Sequence, residues 1–127
     1  MATADAPARP LAAAVHRIVL IGLPVLVLVQ AALAGQHLFE GEDLIELHGF
    51  IGIGTFVLAV VGLGVTLLVR GSDGVAFALA VALAALTFAQ VGLGYVGRET
   101  LAAAAWHIPL GVTIFGLATY QLSLLRR

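Results

Sequence analysis

Four long apolar stretches, Leu11 to Ala34, Leu44 to Val69, Val75 to Val96 and Leu101 to Leu125, constrain this chain more than any other feature. Each is long enough to cross about 30 Å of hydrocarbon as a helix rising about 1.5 Å per residue. They take up about three quarters of the 127 residues, and the short pieces left over are not expected to form an extramembrane catalytic domain. Composition agrees: 61% of residues are hydrophobic and 10% charged, where a water-soluble domain carries about 25% charged. The lipid bilayer is therefore the expected solvent, and any chemistry must lie inside the bundle or at its lip.

Short polar junctions separate the stretches. Gly35 to Asp43 is acidic, Arg70 to Gly74 reads as a tight turn, and Gly97 to Thr100 is shorter still. Connections of this length make neighbouring helices antiparallel. The expected fold is all-α, an integral membrane up-down-up-down four-helix bundle, with a tail over residues 1–10 and the transmembrane domain over 11–127. Ala32-Leu33-Ala34 before Gly35 has the form of a signal-peptide cleavage site, but its apolar run is about twice the usual h-region, which favours a retained span.

Arginine placement sets the expected orientation. Arg9, Arg17, Arg70, Arg126 and Arg127 fall on one side and Arg98 on the other. Because positive charge stays inside, both termini are expected on the cytoplasmic face of a bacterial-type membrane, with the acidic first junction outside. Trp106 and Tyr95 would lie at the outer interface and Tyr120 at the inner one. Cysteine and lysine are absent and the net charge is -1. Thiolate metal sites, disulfides and covalent haem attachment are thereby excluded, and nothing points to nucleic acid.

The chain also repeats itself. From His48 the second stretch reads His-x-x-x-Gly-x-x-x-Phe-x-Leu-Ala through Gly52, Phe56, Leu58 and Ala59, and from His107 the fourth reads the same through Gly111, Phe115, Leu117 and Ala118. Gln30 and Leu33 of the first stretch likewise match Gln90 and Leu93 of the third. Two helical hairpins, about 11–69 and 75–125, are thus expected in parallel orientation, related by a pseudo-two-fold axis along the membrane normal. The second and fourth helices then face one another diagonally.

An ionisable side chain within a span marks a functional site by default. His48 and His107 lie at nearly equal depth below the outer rim, and the positions beneath them are mostly small: Gly52, Thr55 and Ala59 in one helix, Gly111, Ile114 and Ala118 in the other. A slot lined this way suits a flat macrocycle, with two neutral imidazoles as axial ligands of a non-covalent haem b. The structural alternative is that the histidines hydrogen-bond neighbouring helices and the glycines allow close packing. Gln30 and Gln90 would orient the imidazoles, touch a propionate or quinone, or bond across helices. Arg98 is the one outer cation for a propionate, or else pairs with Glu99. His37 is expected in the outer loop as a solvated residue within an acidic rim of Glu40, Glu42, Asp43 and Glu46. His16 is expected at the inner interface near headgroups.

The stretch Ala89-Gln90-Val91-Gly92-Leu93-Gly94-Tyr95-Val96, followed by Trp106-His107-Ile108-Pro109-Leu110-Gly111, resembles the third and fourth helices of the heme A synthase family. Leu47-His48-Gly49-Phe50 stands where the histidine of that family's second helix would be. The resemblance covers about residues 11 to 125 and implies one four-helix half of an eight-helix architecture. It implies a haem-holding half, because the glutamate that the catalytic half carries three residues before the histidine is Ile45 here, with Glu46 displaced by one position.

The functional expectation is a small b-type haem protein that transfers electrons or holds haem, with a quinone or another redox partner, as a homodimer or a subunit of a larger membrane complex. Whether it is itself an enzyme stays open. The alternatives are a heme A synthase-like oxidoreductase acting as a homodimer, and a cofactor-free structural membrane subunit.

Overall fold

The computed structural model describes residues 8–41, 43–70 and 73–126. Four helices follow one another, α1 (Ala8–Glu40), α2 (Ile45–Arg70), α3 (Gly74–Gly97) and α4 (Leu101–Ser123), and a 3-10 turn covers Leu124–Arg126. All four are long and apolar enough to cross a membrane, and the chain is a multi-pass membrane protein. The first part of the expected tail, Glu42 of the acidic rim, Gly71 and Ser72 of the second junction, and Arg127 lie outside the described residues, as do the side chains of Arg9 and Arg126.

Packing follows chain order. α1 lies against α2, α2 against α3, α3 against α4, and α4 closes the ring on α1, leaving α2 and α4 on one diagonal. One end of the bundle, called here the loop end, carries the α1–α2 and α3–α4 connections. The other, the terminal end, carries both termini and the α2–α3 turn. At the terminal end Asp73 caps α3: its carboxylate accepts from the Ala76 backbone N–H at 3.0 Å and pairs with the Arg70 guanidinium. The Ala76 N–H first, and Arg70 second, hold this carboxyl below the usual range.

One expected boundary, and with it the place of His37, needs correction. The first junction is not a loop throughout, since α1 continues through Gly35 and the Ala32-Leu33-Ala34 motif to Glu40. His37 therefore stands on the last turn of a helix. Helix ends where Gly41 takes a left-handed φ of 75°, the conformation that commonly stops a helix. Pro24, inside α1, forfeits one backbone hydrogen bond without ending the helix, and no residue between it and Gly41 stops the ladder.

The middle of the bundle is dry. Val19, Leu23, Ala59, Leu83, Ile114 and Ala118 are buried together. Gly62 lets α1 approach α2, because a Cβ there would lie 2.8 Å from Val19 Cγ1. Large apolar residues such as Ile18, Leu68, Phe88 and Val112 face outward, as lipid permits. Lipid tails remove the hydrophobic drive between helices, so close packing and interhelical hydrogen bonds must hold them together.

Those bonds form two polar layers, one on each side of the dry core. At the terminal end His16 is 4% exposed, and its Nε2 lies 3.2 Å from Thr66 Oγ1. It is thus buried rather than placed among headgroups. The reason is its spacing: His16, Val19, Leu20 and Leu23 fall on one helical face, the face that α1 turns to the core. Nearby, Gln121 donates to the Ala76 carbonyl at 3.3 Å, joining α4 to α3. The second polar layer, near the loop end, holds the residues singled out by the repeat.

Candidate functional site

His48 enters from α2 and His107 from α4, across the diagonal, and their ring centroids are 5.9 Å apart with planes tilted by 59°. Each imidazole is held in the same way. His48 Nδ1 lies 3.1 Å from the backbone carbonyl oxygen of Gln30 on α1, and His107 Nδ1 lies 3.0 Å from that of Gln90 on α3. A carbonyl oxygen can only accept, so Nδ1 carries the proton in both rings and Nε2 keeps its lone pair. Among the described residues neither Nε2 makes a hydrogen bond.

The two glutamine side chains complete the clasps differently. Gln90 Nε2 donates to the His107 carbonyl at 3.0 Å, so residue 90 and residue 107 bond in both directions. Gln30 Nε2 instead donates to Thr55 Oγ1 at 3.2 Å, and that hydroxyl donates onward to the Ile51 carbonyl at 2.8 Å. Helix α4 offers Ile114 where α2 offers Thr55. Gln90 Nε2 takes the His107 carbonyl instead, and Gln90 Oε1 is buried without a partner.

Gly52 and Gly111 do not border an open slot. A Cβ at Gly52 would meet Gln30 Oε1 at 3.3 Å, and one at Gly111 would meet Gln90 Nε2 at 3.1 Å. Thr55, Ala59, Ile114 and Ala118 below them are buried in the packed interior. The glycines thus seat the glutamine amides, and the histidines are clasped from the neighbouring helix. A slot was expected because facing small residues were counted without the long side chains that α1 and α3 lay across them.

Gly94 makes the seat for one ring, since a Cβ there would lie 3.1 Å from His107 Cε1. Its role was legible only as position i+4 from Gln90, on the same face of α3. Gly49 does the same for Arg98, whose Nη2 would be 3.0 Å from a Cβ at that position. The Arg98 guanidinium also lies 5.2 Å from the centre of the Tyr95 ring. It forms no ion pair with Glu99: Arg70 with Asp73 is the ion pair found among the described residues. Glu46, Gly49, Phe50, Ile53, Tyr95 and Arg98 together line a groove of about 270 Å³ between α2 and α3 at the loop end.

The donor set can be tested against a metal centre. Two imidazoles bound on opposite sides of one ion, through bonds of about 2.0–2.1 Å, have ring centres about 6.3 Å apart when coaxial. The observed 5.9 Å is close to that. A metal-ligating histidine characteristically donates its other ring N–H to a carbonyl, fixing tautomer and orientation, and both rings do so here. A bare ion would want further protein ligands, yet no group of three or more His, Asp or Glu side chains able to hold a metal is found among the described residues. Haem, which brings its own four nitrogens, would be held by His48 and His107 and would supply one-electron redox chemistry there. The donor chemistry suits haem, while the hydrogen-bonded amides of Gln30 and Gln90 occupy the space next to the two rings.

No family model, curated protein or solved structure matches this chain.

Proposed function

We propose that this chain is a small membrane b-type haem protein, with iron held between His48 and His107, that transfers electrons or holds haem within a larger assembly. One observation carries the reading. Two imidazoles from diagonal helices meet at 5.9 Å, each fixed through Nδ1 to a backbone carbonyl and each with Nε2 unengaged. The similarity to the haem-holding half of heme A synthases points the same way.

Haem, when bound, supplies one-electron redox chemistry. The chain's residues supply ligation and its tuning. The Gln30 and Gln90 carbonyls accept from Nδ1, which fixes the tautomer of each ring and leaves the Nε2 lone pair for ligation. Gly94 leaves room for the His107 ring, and the buried apolar layer of Val19, Leu23, Leu83 and Ile114 packs beneath the site. Arg98, the C-cap of α3, reaches the space beside Gly49, the residue that follows His48.

A cofactor-free structural subunit is the second reading, favoured by the glutamine amides that lie over Gly52 and Gly111 and fill the space beside the histidines. An absorption spectrum separates the two. Protein purified from haem-replete cells should show a low-spin, six-coordinate haem b spectrum. Colourless protein that stays unchanged on added haemin would leave the structural reading standing.

For orientation, we read both termini as cytoplasmic from the arginine count. A single cysteine replacing Asp43 can be labelled without background, since the chain has none of its own. Labelling by a membrane-impermeant maleimide on intact cells or spheroplasts is expected, and labelling only after lysis would invert the topology.

A further inference from the structure

The geometry points to the groove between α2 and α3 as a binding site for the head group of a lipid-soluble hydroquinone. Glu46 and Arg98 line the same groove of about 270 Å³ and yet form no ion pair with each other. Opposite charges held apart across one cavity suit a ligand that is neutral overall and offers a hydrogen-bond acceptor to one side and a donor to the other. A phosphate or carboxylate would satisfy Arg98 but would face the Glu46 carboxylate.

The walls narrow the class further. Phe50 is 76% exposed and Tyr95 50% exposed, so both present ring surface to the groove, and flat aromatic ligands stack on such surfaces in offset or edge-on geometry. Arg98 is pre-placed: its guanidinium rests in the space that Gly49 leaves and against Tyr95. A fixed donor loses less entropy on binding than a free side chain. Ile53, 41% exposed one turn further along α2, carries the apolar wall towards the bilayer, which gives an isoprenoid tail an exit into lipid. Hydroquinone hydroxyls both donate and accept, whereas quinone carbonyls only accept, so the groove prefers the reduced form.

His48 is the chain neighbour of Gly49, so a head group in this groove lies beside the proposed haem. The binding inference itself does not rest on the haem reading. The test uses duroquinol as probe, followed by saturation-transfer NMR on the full chain in nanodiscs, with haem content measured in parallel. Saturable binding is expected in the wild type and in the His48→Ala, His107→Ala double variant. Arg98→Gln and Phe50→Ala should each weaken it by about tenfold, the factor that corresponds to losing one charge-assisted hydrogen bond or one stacked ring. Glu46→Leu should abolish the preference for duroquinol over duroquinone. Retained far-UV helicity guards each comparison. Should the double variant lose its helicity, haem-free wild type prepared by extraction serves as the haem-free case. The inference is overturned by an absence of saturable binding, by binding that both Arg98→Gln and Phe50→Ala leave unchanged, by displacement of the probe with glycerol phosphate, or by an Arg98→Gln variant that loses haem while keeping duroquinol.

Discussion

The two hairpins use one device and finish it in two ways. In both, a glutamine carbonyl on the first helix anchors a histidine Nδ1 on the second, at 3.1 Å and 3.0 Å, and the glutamine amide lies over a glycine one turn beyond that histidine. In the N-terminal hairpin the amide finds Thr55. In the C-terminal hairpin the matching position is Ile114, 1% exposed and part of the dry core, and Gln90 Oε1 is left orphaned. The shared part of the device is the part that aims the imidazoles. The unshared part decides only how the amides are satisfied, so the histidine pair is what the two halves have in common and the packing beneath it is what each settles for itself.

The largest expected effect breaks the pair outright. Replacing His48 or His107 by alanine should remove low-spin haem to the same extent from either side, because the two ligands are equivalent in their clasps. His16→Ala, whose ring bonds to Thr66 in the opposite polar layer, should leave the spectrum intact. Pigment loss confined to one of the two ligand variants would show that the hairpins do not share the site.

The glycine seats sharpen the comparison. Gly52→Leu and Gly111→Leu should each lose haem and destabilise the bundle by about 1–3 kcal/mol, the usual range for overpacking. Gly111→Leu is expected to be the worse of the two, because the Gln90 amide that must yield is tied to the His107 backbone. Unfolding by dodecyl sulfate in mixed micelles reads the difference. Equal stability of the two variants, both matching wild type, would show that the amides move away freely.

Thr55→Val should erase what distinguishes the first hairpin, leaving the Gln30 amide without its hydroxyl partner. Interhelical hydrogen bonds in membranes average about 0.6 kcal/mol, so a loss of that order is expected in the same assay, with the haem spectrum unchanged. Smaller still is the effect of Asp73, away from both clasps. Its carboxyl is held below the usual range by the Ala76 N–H and by Arg70, so its capping is complete above the ordinary carboxylate pKa and fades as pH falls through the depressed value. Asp73→Asn should flatten that acid-side decline in stability without touching haem.

How much of this was legible beforehand differs from residue to residue. The spans were plain because hydrocarbon thickness fixes their length, and the matched depth of His48 and His107 followed from counting along two antiparallel hairpins. Packing inside the bundle was not, since it depends on which helix supplies the side chain that covers a gap. Gly52 and Gly111 look like an opening when their own helices are read alone and become seats once Gln30 and Gln90 are laid over them. His16 looked interfacial from its neighbour Arg17 and its place near the start of α1, yet its register with Val19 and Leu23 put it in the core. Likewise the end of α1 was set too early because the polar run from Gly35 reads as loop, although Gln36, His37 and Glu40 all lie within the helix that Gly41 ends.

The central claim, that both histidines bind one iron, is tested most directly by low-temperature electron paramagnetic resonance of the oxidised, purified protein. A ferric haem with two imidazole ligands gives a low-spin signal, expected here at one centre per chain and replaced by a high-spin signal or by none in either alanine variant. A high-spin signal in the wild type, or no ferric haem signal after incubation with haemin and removal of the excess, would contradict the account.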